Sequence, residues 1–299
     1  MNLIITTMEQ GLIYGILALG VYITYKILDF PDLTVDGSFP LGGAVGAALI
    51  TRGMSPFLSL FAAFLAGAMA GTITGLIHVK GKVRDLLAGI IMMTALWTVN
   101  LRIAGTANVP LFSQETIFKN DLVSRVFPGA WKSYATLGLI FVIALGAKLL
   151  LDLYLGTKSG FLLRAAGDND KLVTSLAKDA GNVKIIGLAI ANGLVALAGC
   201  VFCQEERVFE ISMGTGAMVI GLASVIIGTS LFRKLPFFKT TTAVFAGAVI
   251  YKLCVGIAIK NFEPRDMKLI TAVLFLVILL ISTERKRKVK GNAGTESYL

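Results

Sequence analysis

The stretch ILDFPDLTVDGSFPLGG, residues 27–43, lies between two apolar runs and interrupts both. It carries Asp29, Asp32 and Asp36, with prolines at 31 and 40. The apolar residues that follow, 41–50, are too few to cross a bilayer, which takes about 20 residues of helix. Two readings fit. One is an ordinary cytoplasmic turn, in which the acids are solvated. The other is the unwound part of a discontinuous helix beside a pathway. Acids at membrane depth face water or a partner inside the bundle. Irregular backbone persists there only where it lines a cavity or is buried in protein. The second reading is preferred here, with Asp32, Thr34, Asp36 and Ser38 as pathway residues. On this reading Pro31 ends the first helix and Pro40 restarts the second. Asp36 and Ser38 are then placed to cap a short helix beginning near Pro40.

The surrounding chain sets that stretch in a membrane. Of 299 residues, 56% are hydrophobic and only 15% are charged, against about 25% charged in soluble domains. Apolar runs at 4–27, 41–52, 55–78, 85–104, 133–155, 183–204, 214–232, 240–259 and 267–282 predict an all-α, polytopic bundle of eight or nine segments. No basic residue precedes Lys26, so the N-terminus reads as a retained membrane helix rather than a signal peptide. Lys and Arg concentrate in alternate connections: beside Lys26, around Lys80 and Arg84, through 156–182, around Arg233, and in ERKRKVKG at 284–291. By the positive-inside rule these face the cytoplasm. The expected organisation is a transmembrane domain over 1–283, with a cytoplasmic segment at 156–182 and an extracytoplasmic loop at 105–132. A basic cytoplasmic tail follows at 284–299.

LTVDGSFPLGGAVGAALI (33–50) and ISMGTGAMVIGLASVIIG (211–228) share a polar entry, a glycine pair and a small-residue helix. They run in opposite senses, the pattern of an inverted repeat.

Enzyme chemistry finds no support. There is no GxxxxGK[ST] phosphate loop, and GTGAMVIG (214–221) lacks the third glycine of a dinucleotide fingerprint. His78 is the single histidine and reads as a loop residue. Cys200 and Cys203 form a CxxC inside an apolar run and read as small buried thiols. No metal site is expected, and the net charge of +10 is explained by topology rather than by nucleic acid. Further pathway candidates are Asn100, one helical turn from Trp97, then Glu205 and Glu206, and Lys252. Lys252 either pairs with an acid such as Glu205 or snorkels from a tilted helix.

In GTKSGFLLRAAGDNDKLVTSLAKDAGN (156–182), Asp168 or Asn169 can cap a short helix and Gly181 can close it. Leu172, Val173, Leu176 and Ala177 form its apolar face. Such a face docks on a partner, or lies on lipid headgroups with Lys171 and Lys178.

Residues 160–202 resemble the cytoplasmic-loop signature of ABC permeases of the branched-chain amino-acid uptake type. Arg164, Ala165, Gly167, Asp168, Asn169, Gly181, Leu197, Ala198 and Gly199 match its pattern. After the first helix, LDFPDLTVDGSF stands where branched-chain permeases carry an Asn-Phe-Ala-His-Gly-like element. That stretch looks more like the tryptophan/tyrosine-type subgroup. The resemblance implies two permease chains around a pore, expected as a homodimer. It implies separate ATPase subunits that bind ATP and Mg, so this chain holds no cofactor itself. They would dock on a coupling helix at about 168–180, with Arg164, Asp168, Asn169, Asp170, Lys171, Leu172 and Leu176 in the coupling region. An extracytoplasmic substrate-binding lipoprotein would deliver an aromatic or branched-chain amino acid or related compound, meeting 105–132 with Pro110, Phe112, Phe118 and Trp131. The rival expectation is an ion-coupled secondary transporter titrating Asp29, Asp32, Asp36 or Lys252. A docking helix argues against it, because a one-component transporter needs none.

Overall fold

Most of these helices are apolar on every side, so polarity cannot tell one face from another; side-chain size does. Along Pro56–Val79, Phe57, Phe61, Leu65, Met69 and Ile73 recur every fourth residue and are exposed. Ser59, Ala63, Gly67, Gly71 and Gly75 recur with the same spacing and are buried. One face is bulky and meets lipid; the other is small and lets a neighbouring backbone approach, the general rule for helix association in membranes.

A computed structural model describes residues 2–120, 132–168, 179–232, 239–261 and 269–280. The chain enters through α1 (Asn2–Val21), which continues as a π-helical turn, Tyr22–Ile27. After a break come α2 (Val35–Thr51), α3 (Pro56–Val79) and α4 (Asp85–Ala104). Strand β1 (Asn108–Pro110) precedes α5 (Lys132–Leu155) and α6 (Lys158–Asp168). Then follow α7 (Ala180–Glu206), β2 (Val208–Glu210), a 3-10 turn (Ile211–Gly214), α8 (Ala217–Leu231) and α9 (Thr240–Asn261). A last apolar helix, α10, covers Leu269–Leu280. Among the described residues, seven helical stretches are long and apolar enough to cross a membrane, and α2 and α10 are shorter apolar helices. The all-α polytopic bundle is therefore the fold.

α7 is the central column, packed against α1, α2 and α3. A Cβ at Gly42 of α2 would overlap the carbonyl of Ala196, and one at Gly199 of α7 would overlap the carbonyl of Phe39. Gly67 and Gly71 of α3 meet the carbonyls of Asn192 and Leu188 in the same way. Tyr14, Phe39 and Phe202 fill the space between α1, α2 and α7, with ring centroids 5.7–5.9 Å apart.

Several local expectations change. α2 begins at Val35 rather than near Pro40, and Pro40 lies inside it. Asp32, not Asp36 or Ser38, takes the amide at the helix start: its Oδ1 accepts from the Thr34 N–H at 2.9 Å. Pro40 cannot donate to the Asp36 carbonyl, so α2 is one bond short in its second turn. Asp36 instead caps a different helix. Its carboxylate accepts from the N–H groups of Gly216 (3.2 Å) and Met218 (2.7 Å), at the start of α8. The two segments compared as a repeat thus meet end to end. Gly181 lies in the first turn of α7 and does not close the preceding helix; Asp179 caps α7 by accepting from the Gly181 N–H at 2.9 Å. His78 sits in the last turn of α3, edge-on to Phe30, with Nδ1 2.9 Å from the Val83 carbonyl. Cys200 and Cys203 are free and buried, as read from the sequence.

The antiparallel β1–β2 ribbon pairs Asn108 with Glu210 and Pro110 with Val208, and was not foreseen. It ties the first part of the 105–132 loop to the end of α7.

Two outcomes follow from the packing and the cap. Gly42→Val or Gly199→Val should abolish recovery of monodisperse protein in detergent, whereas Gly146→Ala, which meets nothing within 4 Å, should leave it intact. Asp36→Ala should lower stability to thermal unfolding by about 1–2 kcal/mol, and Asp36→Asn, which keeps an acceptor at the α8 terminus, by less.

Candidate functional site

The break between the π-helical turn and α2 is built from residues that turn in different directions. Tyr25, Lys26, Asp29 and Pro31 are exposed, and Asp29 adopts φ 51°. Asp32, Thr34 and Ser38 are fully buried. Asp32 Oδ2 accepts from Asn192 Nδ2 at 2.7 Å. Ser38 donates to Asn192 Oδ1 at 2.7 Å, and the hydroxyls of Thr34 and Thr74 lie 3.0 Å apart. Asn192 is thus fully used, with a third contact to the Leu188 carbonyl at 3.1 Å. It lies about 18 Å along α7 from the start of that helix, at 1.5 Å per residue. A buried carboxylate at that depth persists only when hydrogen-bonded, and here a neutral amide and a backbone N–H do the work. The break is therefore buried on one side in protein and open on the other.

Of the remaining pathway candidates, Asn100 joins this region: buried in α4, it donates to the Gly37 carbonyl at 3.1 Å. Trp97, one turn away, points out of the bundle and is 47% exposed. Glu205 and Glu206 lie at the opposite end of α7. Glu206 accepts from Gln10 Nε2 at 3.1 Å. Lys252 does not pair with Glu205. Its Nζ stands 3.6 Å from the centre of the Tyr14 ring, a desolvated cation–π contact.

The segment 156–182 touches the break directly. In α6, Gly167 packs against the carbonyl of Ile27, where a Cβ would not fit. Leu163 is fully buried against Gly187 of α7. Arg164 is exposed, near the Phe161 ring, and Asp168 is the last residue of α6. Asn169, Asp170, Lys171, Leu172 and Leu176 lie outside the described residues. At the far end, Phe112 is 63% exposed, but Phe118 is 5% exposed and packs inward, so it belongs to the core and not to a docking face. Trp131 and the tail at 284–299 lie outside the described residues.

Sequence reasoning missed Asn192, the hub of the buried network. Its signal was a lone amide in the apolar run IANGLVALAG. It also missed Glu9 and Arg207, which converge with Glu205 on a cavity at the ribbon end of the bundle.

The model of a family described as the permease component of a branched-chain amino acid transport system matches residues 3–282. A tyrosine transport system permease protein of Clostridioides difficile is 43% identical over 93% of this chain and 91% of its own length. The ribose import permease of Escherichia coli is 25% identical over 95% of this chain and 87% of its own. A probable branched-chain amino acid transport permease of Methanocaldococcus jannaschii is 28% identical over 71% of this chain and 70% of its own. No solved structure matches. With seven membrane-length helices among the described residues and a match along nearly its whole length, the chain belongs to the permease-component family of branched-chain amino acid transport systems and is a multi-pass, ABC-type permease.

Proposed function

We propose that this chain is the membrane-spanning subunit of an ABC importer for an aromatic or branched-chain amino acid or a related compound. A second copy of the chain completes the pore. A separate ATPase, with ATP and Mg, docks on the segment 156–182, and an extracytoplasmic lipoprotein delivers the substrate. The C-terminus is cytoplasmic. Family membership favours this reading over an ion-coupled secondary transporter. The aromatic substrate class rests on the similarity to the tyrosine permease.

The observation that carries the mechanism is the contact of α6 with the break. The coupling region, from Arg164 through Asp168, Asn169, Asp170, Lys171, Leu172 and Leu176, continues from α6. Gly167 of α6 sits on the Ile27 carbonyl, immediately before the unwound residues. A displacement of the coupling segment is therefore delivered to Leu28–Leu33 without an intervening side chain. From there it reaches Asp32 and its bonds to Thr34 and Asn192. Packed contacts of this kind switch between discrete arrangements rather than deform smoothly. The pathway assignments Asp32, Thr34, Asp36, Ser38 and Asn100 gather at this element. Glu205, Glu206 and Lys252 belong to the opposite end.

Purification of the tagged chain from native membranes in mild detergent should bring down an ATPase activity. Leu172→Asp with Leu176→Asp should reduce that activity roughly tenfold or more, because charged groups replace apolar anchors at an interface centre. Recovery of the wild-type chain alone and inactive would sink the importer reading. In reconstituted vesicles, Asp32→Ala and Asn192→Ala should each cost about 1–3 kcal/mol of stability through the unpaired partner. Their thermal-unfolding cycle should show coupling; simple additivity would mean that the bond contributes nothing.

A further inference from the structure

At the ribbon end of the bundle, α1, α5, the end of α7 and residues 116–119 line a partly open cavity of about 330 Å³. Its lining is mainly polar and includes Glu9, Thr116, Lys119, Gln204, Glu205 and Arg207. Three charged groups here have unmet bonding capacity. Glu9 is 6% exposed, and among the described residues no donor reaches its carboxylate. Glu205 Oε2 is buried with no hydrogen-bond partner. Arg207 uses its terminal Nη2 on the carbonyls of Leu111 and Phe112, but its Nε–H is buried and unpartnered. Gln204, by contrast, is spent. Its Oε1 accepts from the Ile117 N–H at 3.1 Å, and its Nε2 donates to Ser59 at 3.1 Å. The two buried unpartnered atoms at this end, Glu205 Oε2 and Arg207 Nε, thus belong to charged groups of opposite sign beside one space.

Buried polar groups in folded proteins are almost always satisfied, and a lone buried charge is costly. What fills this cavity must bring positive donors to Glu9 and Glu205 and an acceptor to Arg207. An inorganic cation meets the acids and leaves the Nε–H empty. An inorganic anion meets Arg207 and Lys119 but faces two carboxylates, with Glu206 behind them. A neutral sugar matches neither charge. A zwitterion supplies both, and the volume lies within the range of small-molecule sites, about 300–1,000 Å³. We infer that this cavity is a binding site for a free α-amino acid within a single permease chain. Its ammonium lies between Glu9 and Glu205 and its carboxylate accepts from Arg207 Nε, with Ile5 and Phe118 along the apolar wall. The inference rests on the importer reading above, in which this end receives substrate from the binding protein. It gives the permease its own selection step, for the backbone of an amino acid rather than for its side chain.

The test is equilibrium binding of radiolabelled L-tyrosine and L-leucine to the full-length purified chain in lipid nanodiscs, without any binding protein. Saturable binding is expected for both. N-acetyl-tyrosine and tyrosine methyl ester, each lacking one charge, should compete roughly tenfold or more worse, the effect of one lost charge-assisted bond. Glu9→Gln and Glu205→Gln should weaken binding by a similar factor while the variants keep the wild-type elution profile and thermal transition. Gly146→Ala, outside the cavity and with nothing within 4 Å of its added Cβ, should retain binding and serves as the control for a substituted chain. Equal competition by the ester and the N-acetyl compound, unchanged binding in both Glu variants, or no saturable binding at millimolar ligand each overturns the inference. Absent binding together with a co-purifying ATPase defeats this site and leaves the importer reading standing. Binding without a co-purifying ATPase does the reverse.

Discussion

The constraint on which the bundle depends is the contact of backbone with backbone around α7. Gly42 against the Ala196 carbonyl and Gly199 against the Phe39 carbonyl leave no room for a Cβ, and Gly67 and Gly71 press α3 onto the same column. Lipid tails are as apolar as leucine, so apolar burial does not hold such helices together; close packing and interhelical hydrogen bonds do. The bulky face of α3 carries none of this function, which is why it is free to be Phe, Leu, Met and Ile in turn.

The polar network follows from that proximity. Asp32 and Ser38 reach the same asparagine because α2 and α7 are close enough for short side chains to span the gap. A longer spacing would demand Glu and Gln, with more rotamers to freeze. The break is therefore not a loose joint. Its buried side is held by directed bonds and its exposed side carries Lys26, Asp29 and Pro31. An element tightly bonded in one arrangement and backed by an unwound backbone is suited to a discrete switch rather than to a graded response.

Much of this was legible in the residues. Nine apolar runs gave the helices, because hydrophobic length is a strong signal. The polar interruption at 29–40 marked the break, because acids rarely enter a membrane helix without reason. Its details were not legible. Pro40 was read as a start, but it lies inside a helix that begins at Val35. Asp36 looked like a local cap and serves α8, 182 residues later, since a carboxylate's partner in space leaves no mark on its neighbours in sequence. Lys252 was weighed against acids because opposite charge is the obvious partner; the Tyr14 ring supplies an alternative that charge counting does not see. The β1–β2 ribbon, three residues per strand, is below what any periodicity can announce.

The burial of α2 bears on how the chain is made. Twelve of its seventeen residues are buried, and it presents almost nothing to lipid. Its two acids, Asp32 just before it and Asp36 within it, find their partners at Asn192, Gly216 and Met218. All three are synthesised long after α2 leaves the ribosome. At about 5–20 residues per second, Asp36 waits roughly 10–40 s for the start of α8. During that interval Asp36 lacks the two N–H groups that it accepts from in the finished structure. The earliest polar segment is thus among the last to settle, and a chain that stalls between α7 and α8 can satisfy Asp32 through Asn192 but leaves Asp36 without the N–H groups of Gly216 and Met218.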